Sequence, residues 1–185
     1  MRIVGGKFRG RALKTPETQD IRPTTDRARE SLFNILINQL GHDWFKIRTL
    51  DMFAGTGALG LEALSRGASH ALFVETSVEG RGLIRDNIEA FGLTGIARLL
   101  RRDATDMGPV GTMEPFNLAF ADPPYSKGLG EAAFASAANG GWLSQNALCV
   151  LEEAASSPFT LPQGFALQDE RRYGDTCLRF MRITK

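Results

Sequence analysis

Residues 49–60, TLDMFAGTGALG, decide which fold the sequence predicts. An apolar run of strand length leads into a turn that contains Gly55 and Gly57, and residues 58–66 then carry apolar side chains at helical spacing. Glycine allows a positive φ and lets a ligand approach the backbone closely. The spacing Gly55-x-Gly57-x-x-Gly60 matches the dinucleotide-binding fingerprint, although a bare turn between a strand and a helix would also satisfy it. The segment therefore predicts a strand–turn–helix unit of an α/β sheet, with a ligand at the turn as the functional interpretation.

Two later strand candidates also lead to carboxylates. Residues 70–74, which are apolar after His70, form a strand candidate that precedes Glu75. Glu75 either binds ribose hydroxyls or simply ends a strand in solvent. Residues 97–100 lead through two arginines to Asp103, which either accepts a hydrogen bond from an adenine amino group or caps a turn. Because open α/β sheets bind ligands at the carboxyl ends of their strands, we expect both side chains at the same edge as the glycine turn.

The sequence Asp122-Pro123-Pro124-Tyr125 follows another apolar segment, residues 116–121. Two prolines cannot continue a central strand, because neither has an N–H for the hydrogen-bond ladder. The strand therefore ends abruptly, and the Asp122 carboxylate and the Pro123 carbonyl become two acceptors on one rigid corner beside the Tyr125 ring. A planar group with an exocyclic NH2 would satisfy all three, whereas a Pro-Pro turn with a capping aspartate would need no ligand.

The remaining segments alternate as a doubly wound sheet requires. A Thr-Thr-Asp cap at residues 24–26 begins an amphipathic helix that ends at Gly41. The pattern also predicts helices over residues 78–91 and 129–139, a buried strand over 148–152, and a hairpin of residues 165–172 and 177–183. Parallel strands joined through helices place helices on both faces of the sheet.

The first 15 residues contain no acidic side chain and five basic ones, namely Arg2, Lys7, Arg9, Arg11 and Lys14. Glycines interrupt the segment, so a short β-hairpin or arm is a better interpretation than a long helix. Such a basic strip could contact RNA phosphates without reading sequence, or it could be a solvated terminal arm. The net charge of +1 does not by itself indicate a nucleic-acid-binding protein.

The composition favours one globular domain, since the 185 residues are 43% hydrophobic and 23% charged. No apolar run approaches the roughly 20 residues that span a bilayer, and the amino terminus lacks the apolar core of a signal peptide, so a cytoplasmic location is expected. Cys149 and Cys177 are interpreted as buried small hydrophobic residues. With only His42 and His70 besides them, the sequence predicts neither a metal site nor a disulfide.

Taken together, these motifs resemble the class I S-adenosylmethionine-dependent methyltransferases that act on amino groups. More narrowly, the chain resembles the RsmD-type bacterial 16S rRNA guanine-N2 methyltransferases from end to end. The central motifs, residues 51–63 and 122–125, indicate only a methyltransferase of amino groups. The narrower family is indicated by residues 1–6, 9–11, 22–27, 30–34 and 173–176.

The resemblance implies a Rossmann-like fold: a seven-stranded, mostly parallel sheet with helices on both faces, one antiparallel strand from the final hairpin, and a small basic amino-terminal β extension. It implies a single methyltransferase domain, with an arm at residues 1–22 and a catalytic core at residues 23–185. S-adenosylmethionine would be the cofactor and S-adenosylhomocysteine its product. The cofactor-binding residues it implies are Thr25, Arg27, Asp51, Phe53, Ala54, Gly55, Thr56, Gly57, Glu75, Asp103, Ala104 and Asp122.

The resemblance also implies the catalytic residues. Asp122 and the Pro123 carbonyl would hold the two N–H groups of the target amine, and Tyr125 would stack on the base. The substrate would be one guanine of 16S rRNA, at a site of guanine-966 type, on the small ribosomal subunit or an assembly intermediate, with the protein acting as a monomer. The RNA-binding residues expected are Arg2, Lys7, Arg9, Arg11, Lys14 and Arg22.

Two other interpretations stay open on the sequence. The acceptor corner serves other amino targets equally well, such as adenine N6 in DNA or a protein glutamine, and only the amino-terminal arm and its motif favour rRNA. A non-catalytic RNA-binding protein or a nicotinamide-binding enzyme would use the glycine turn alone. Neither of these gives the Pro-Pro-Tyr corner a purpose, and neither should bind S-adenosylmethionine.

Overall fold

The computed structural model describes residues 1–17 and 25–184 of the chain. In this part of the chain, seven strands form one sheet in the order β3-β2-β1-β4-β5-β7-β6. The strands are β1 (Arg48–Met52), β2 (His70–Val74), β3 (Ala97–Leu100), β4 (Phe116–Ala121), β5 (Leu143–Ala154), β6 (Phe165–Tyr173) and β7 (Thr176–Ile183). Strands β1 to β5 pair in parallel, whereas β7 lies antiparallel between β5 and β6. The seven-stranded, mostly parallel sheet that the family resemblance implied is confirmed.

Within residues 1–17 and 25–184, four α-helices pack on this sheet. They are α1 (Asp26–Leu40), α2 (Ala58–Ser65), α3 (Val78–Ala90) and α4 (Leu129–Asn139). The Thr25 hydroxyl accepts the backbone N–H of Ala28 and so caps α1, as the sequence predicted. Strand β5 extends on both sides of the predicted residues 148–152. Its early start follows a register shift against β4, which an apolar pattern does not reveal.

The alternation of side chains along the strands divides the core into two clusters. Phe120 and Val150 belong to the cluster that α1, α2 and α3 cover, and we call this side of the sheet the α1–α3 face. Phe33 of α1 packs there against Phe120, with ring centroids 5.8 Å apart. Ala121 belongs to the opposite cluster, to which α4 contributes Phe134. Helices therefore cover both faces of the sheet, as expected for a doubly wound fold.

The amino-terminal arm, described here for residues 1–17, folds back on itself. An antiparallel bridge joins Arg2 to Ala12, and a short 3-10 helix lies between them. Ile3, Phe8 and Leu13 are buried in the core of the α1–α3 face, and the Phe8 ring stacks on Phe91 at 5.1 Å. The arm is therefore packed against the α1–α3 face through its apolar side chains, while its basic side chains are exposed.

A buried carboxylate fastens the arm to two helices. Glu62 of α2 has no exposed surface and accepts the backbone N–H groups of Val4 at 2.9 Å and Gly5 at 3.2 Å. The same carboxylate lies 3.4 Å from Arg29 Nε of α1 and 3.6 Å from Arg66 Nε. A buried charge with these partners is costly to break, because each lost partner leaves the others unpaired in the interior.

Candidate active site

The carboxyl ends of β1 and β4 form the centre of the site. Met52 pairs with Ala121, so Phe53 and Asp122 leave the sheet side by side. From β1 the chain adds β2 and β3 on one side, and from β4 it adds β5 on the other side. The β1–β4 gap, where the strand order reverses, is therefore the topological switch point of the sheet. Ligands of doubly wound folds bind at this position.

The glycine turn after β1 depends on close approach to β2. Gly57 has φ +81°, and a Cβ there would lie 3.2 Å from the Phe73 ring. A Cβ on Gly60 would lie 2.4 Å from the same ring, which no real side chain tolerates. Gly55 also has a positive φ, +59°, but a Cβ there would meet no heavy atom within 4 Å. The turn is thus packed tightly beneath and open above Gly55, where a ligand can approach the backbone.

Two carboxylates hold the turn. The Gly60 N–H donates to Asp51 Oδ2 at 2.9 Å, and the Gly55 N–H donates to Glu75 Oε1 at 2.9 Å. Burial raises the pKa of Asp51 to about 8, and the Glu75 charge adds to that rise against the opposing hydrogen bond from Gly60. Asp51 therefore acts from inside the fold, whereas the half-buried Glu75 reaches the ligand edge.

Glu75 is oriented by its own chain as well as by the turn. Its Oε2 accepts the backbone N–H groups of Thr76 at 2.8 Å and Ser77 at 3.2 Å. Asp103, after β3, is similarly held, because Thr105 donates to its Oδ1 through both the backbone and the hydroxyl. These hydrogen bonds lower the pKa of the exposed Asp103 carboxyl. Each side chain is thus a fixed acceptor at the carboxyl end of its strand, and Ala104, the residue after Asp103, is buried.

The Asp122-Pro123-Pro124-Tyr125 corner is anchored by β5 and β7. The Tyr125 hydroxyl lies 3.4 Å from Glu152 Oε1 and 3.3 Å from Thr176 Oγ1. Burial raises the pKa of Tyr125 to about 12, so the hydroxyl keeps its proton at neutral pH. Asp122 is half-buried, and burial followed by the Glu152, Asp51 and Glu153 charges raises the pKa of its carboxyl well above the ordinary range.

Ser126, the residue after the corner, is held in place by the Glu153 carboxylate of β5. The Ser126 N–H donates to Glu153 Oε1 at 3.0 Å, and the same oxygen accepts from the Ala154 N–H at 2.8 Å and the Ser157 hydroxyl at 3.2 Å. Ser126 itself has φ +65°. A buried carboxylate with three donors can hold such a conformation against its steric cost, so the corner is rigid.

The structure thus brings the central predicted residues together and separates others from them. Asp51 lies within β1 near its carboxyl end, and residues 53–57, Glu75 and Asp103 follow β1, β2 and β3. They occupy the same edge of the sheet as Asp122. Thr25 serves as the cap of α1, and Arg27 is exposed on the first turn of that helix. These contacts do not connect either residue with the glycine turn, and their predicted place at the methionine end of the cofactor stays a prediction.

The predicted RNA-binding side chains divide into two groups. Arg2, Lys7 and Arg9 are exposed on the arm. Arg11 donates to the Ala90 carbonyl at 2.7 Å with its guanidinium 4.3 Å from the centre of the Phe91 ring, and Lys14 pairs with Asp86 at 3.2 Å. The latter two also fasten the arm to α3. Arg22 lies outside the described residues.

Two polar residues of the site were not singled out from the sequence. Asn87 of α3 donates to the Thr56 carbonyl at 3.1 Å and the Lys14 carbonyl at 3.2 Å, and its oxygen accepts the Lys14 N–H at 2.8 Å. It therefore joins the arm to the glycine turn, and a lone asparagine on a helix gives no signal of this. Glu152 could have been found from the sequence, because it follows the apolar run at residues 148–151 just as Glu75 follows β2.

Across residues 1–17 and 25–184, no three His, Cys, Asp or Glu side chains are grouped so that they could hold a metal ion. The described helices include none that is long and apolar enough to cross a membrane. Cys149 and Cys177 are buried, as predicted, and the side chains of Trp44 and Trp142 are buried as well.

The chain matches a known family over almost all of its length. The family model described as conserved hypothetical protein 95 covers residues 1–182. Ribosomal RNA small subunit methyltransferase D of Escherichia coli strain K12 is 37% identical over 181 residues, which are 97% of this chain and 88% of that protein. Among solved structures, yhhF from Escherichia coli superposes with a TM-score of 0.83 at 34% identity, over 100% of this chain and 98% of that one.

The fold extends beyond close relatives. Precorrin-6y C5,15-methyltransferase from Geobacter metallireducens superposes with a TM-score of 0.66 at 14% identity, over 97% of this chain and 98% of that one. At that identity the likeness concerns the fold alone, which is the class I methyltransferase fold. The match to the family model and the 37% identity over nearly full length go further. The chain therefore belongs to the conserved hypothetical protein 95 family, the family of the RsmD-type methyltransferases.

Proposed function

We propose that the protein transfers a methyl group from S-adenosylmethionine to N2 of one guanine in bacterial 16S rRNA, at a site of guanine-966 type. The observation that carries this proposal is the juxtaposition of the Asp122 corner with the glycine turn at the switch point of the sheet. The rRNA target is supported by the relative from Escherichia coli, which is named a small subunit rRNA methyltransferase. We expect the assembled small subunit or an assembly intermediate to be the substrate.

The residues at the glycine turn fit S-adenosylmethionine. The space above Gly55 leaves the backbone accessible, and Glu75 presents a fixed carboxylate suited to ribose hydroxyls. Asp103, held by Thr105, is suited to accept from an adenine amino group. When bound, the cofactor supplies a methyl group already activated on a sulfonium sulfur, so the protein needs no nucleophile of its own.

Asp122 and Pro123 would prepare the amine for attack. A guanine amino nitrogen is a poor nucleophile because its lone pair is delocalised into the ring. Two hydrogen bonds, from its N–H groups to the Asp122 carboxylate and the Pro123 carbonyl, favour a pyramidal nitrogen and aim the lone pair at the methyl group. As the N–C bond forms and the S–C bond breaks, positive charge develops on nitrogen, and the carboxylate stabilises it. Asp122, with its raised pKa, then takes the proton that nitrogen loses.

The outward basic side chains of the arm would contact the RNA backbone. Arg2, Lys7 and Arg9 are exposed on a segment whose apolar residues are packed against the catalytic core, so phosphate contacts there would orient the RNA relative to the site. The arm also touches the glycine turn through Asn87, which keeps the RNA-facing and cofactor-facing elements in one rigid unit.

The test is a methylation assay with labelled S-adenosylmethionine. Small ribosomal subunits lacking their native methyl groups, naked 16S rRNA, DNA and total protein are offered in parallel, and labelled products are digested to nucleosides or amino acids. We expect N2-methylguanosine from one position of 16S rRNA, with subunits a better substrate than naked RNA.

The other outcomes are equally informative. Label in DNA adenine or in a protein glutamine would replace the rRNA assignment with another amino target. A protein that fails to bind S-adenosylmethionine in a calorimetric titration would not be a methyltransferase of this kind. The Asp122→Ala variant is assayed in parallel. We expect it to bind the cofactor but to methylate nothing, which would assign the measured activity to this corner.

A further inference from the structure

The hairpin of β6 and β7 turns at the edge of the sheet that carries the candidate active site. Strand β7 runs antiparallel to β5, so Thr176, its first residue, pairs with Ala154 at the carboxyl end of β5. Tyr173, the last residue of β6, pairs with Thr176 across the turn. The Tyr125 hydroxyl lies 3.3 Å from Thr176 Oγ1, and this contact joins the Asp122 corner to the hairpin. The hairpin turn therefore borders the site on the side of β5.

The Tyr173 side chain lies on the same face of the sheet as Asp122. Leu178 of β7 belongs to the core of the α1–α3 face, and alternation places Thr176 and its partner Tyr173 on that face too. Phe120 belongs to the same core, so alternation also directs Asp122 there. Side chains that are directly opposite on antiparallel strands have Cβ atoms about 5 Å apart. Tyr173 thus begins one strand beyond the threonine that anchors the corner.

The hairpin turn is fixed by hydrogen bonds, whereas the Tyr173 ring is partly exposed. The Ala155 N–H donates to the Asp175 carbonyl at 2.7 Å, and Arg172 Nε donates to the Gly174 carbonyl at 3.1 Å. Of the surface of Tyr173, 37% is exposed. An aromatic side chain that is held at the rim of the site and is accessible there can stack on a nucleobase.

The charges around Tyr173 do not favour phosphate contacts. Residues 169–176 contain three acidic side chains and two basic ones, namely Asp169, Glu170, Asp175, Arg171 and Arg172, for a formal charge of −1. Arg171 already pairs with Asp169 at 2.8 Å. The hairpin turn therefore differs from the basic amino-terminal arm, and its aromatic ring is the group best suited to contact RNA.

We propose that Tyr173 stacks on a nucleotide adjacent to the target guanine and so holds the RNA in register with the site. This inference rests on the proposed function and deepens it. A guanine reaches the Asp122 corner only after it leaves the base stack, and its neighbour then exposes an apolar face. Tyr173 replaces the lost stacking partner, while Tyr125 covers the target base. Because stacking on an aromatic ring tolerates any base, Tyr173 is a positioning residue and does not select guanine.

The test compares Tyr173→Leu, which removes the ring but keeps an apolar side chain, with Tyr173→Phe, which keeps the ring. With small ribosomal subunits as substrate, Tyr173→Leu should raise KM about fivefold to a hundredfold, the usual effect of losing one base–aromatic stack, without lowering kcat. Tyr173→Phe should keep the wild-type KM. Since stacking neutralises no phosphate, the salt dependence of RNA binding should be the same in all three proteins. Equal affinities for S-adenosylmethionine in calorimetry show that the variants are folded.

A fluorescent base reports the stacking itself. Subunits are assembled with 2-aminopurine at each of the two nucleotides that flank the methylated guanine, because its fluorescence falls when it stacks. At one of these positions, the complex with Tyr173→Leu should be brighter than the complex with the wild-type protein. Phe45→Leu is the matched control, since Phe45 is 75% exposed and precedes β1 at the opposite edge of the sheet. It should change neither KM nor the fluorescence.

The outcomes separate this inference from the proposed function. A Tyr173→Leu protein with the wild-type KM would overturn the inference while guanine methylation stands, and so would equal fluorescence of the two complexes at both positions. A KM raised as much in Tyr173→Phe as in Tyr173→Leu would also overturn it, because the ring is then not the group that matters. A wild-type protein that leaves the guanines of 16S rRNA unmethylated would refute the proposed function, and this inference with it.

Discussion

Asp51, Asp122 and Glu152 place three carboxylates on one face of the sheet, on the adjacent strands β1, β4 and β5. Burial is the main reason that the pKa of Asp51 rises to about 8 and that of Asp122 rises well above its usual range. A group of buried carboxyls of this kind favours a positively charged ligand or an N–H donor. Perturbed carboxyls of this kind are typical of functional sites.

At the level of one residue, we expect Asp122→Asn to lower kcat at least about a hundredfold, the usual effect of removing an electrostatic contact made in the transition state. The amide keeps the size of the side chain, so S-adenosylmethionine binding measured by calorimetry should change little. Asp169→Asn, on the distant edge strand β6, is the control and should keep full activity. Retained turnover in Asp122→Asn would contradict the role assigned to the carboxylate.

A second residue-scale prediction concerns pH. The pKa of Asp51 is about 8 in the folded protein against an ordinary 3.8, so the folded state binds the proton more tightly than the unfolded chain. The free energy of unfolding of the cofactor-free protein should therefore fall as pH rises from about 4 to about 8. Asp51→Asn should flatten this decline in denaturant titrations at several pH values.

Asp103→Asn provides the contrast for that experiment. The pKa of Asp103 is lowered by its hydrogen bonds, so its contribution to stability is present at neutral pH and is lost as pH falls. Its removal should leave the decline between pH 4 and 8 in place. An Asp51→Asn protein with the wild-type pH dependence would show that this buried carboxyl does not carry the effect.

At the scale of elements, Asn87 connects the arm, α3 and the glycine turn. We expect Asn87→Ala to weaken S-adenosylmethionine binding about tenfold, because the Thr56 carbonyl loses its donor and the turn loses its orientation. Calorimetric titration measures the change. Asn139→Ala, at the exposed end of α4, should bind the cofactor with wild-type affinity. Equal Kd values for the two variants would remove Asn87 from the cofactor site.

The arm carries the other element-scale prediction. Replacing Arg2, Lys7 and Arg9 together with alanine should weaken RNA binding and make its salt dependence shallower. The negative slope of the logarithm of the RNA association constant against log salt should shrink in magnitude by about 2, as expected when about three phosphate contacts are lost. Cofactor binding should not change. The control replaces Lys46 and Arg98, exposed residues near the amino ends of β1 and β3, and should leave the salt slope as it was. Unaltered RNA affinity in the arm variant would mean that the arm is not an RNA contact.

For the molecule as a whole, the sequence predicted the sheet, its helices and the edge where Gly55, Glu75, Asp103 and Asp122 meet. These features follow from local patterns: strand-length apolar runs, turn residues and carboxylates at the ends of strands. It did not predict partners that meet only in the folded chain, such as Val4 with Glu62. The closeness of Asp122 to Glu152 also depends on the register of β4 against β5, which no local pattern contains.

The position of β7 has a consequence for synthesis of the protein. Among the seven described strands, β7 is the last to be made, yet it lies between β5 and β6 and is the only one of them that pairs with β6. Until it emerges, one edge of β5 is unpaired and β6 has no partner, so the growing chain exposes an aggregation-prone strand edge. The hydrogen bond between the Tyr125 hydroxyl and Thr176 of this late strand can form only when nearly all of the described chain has been translated.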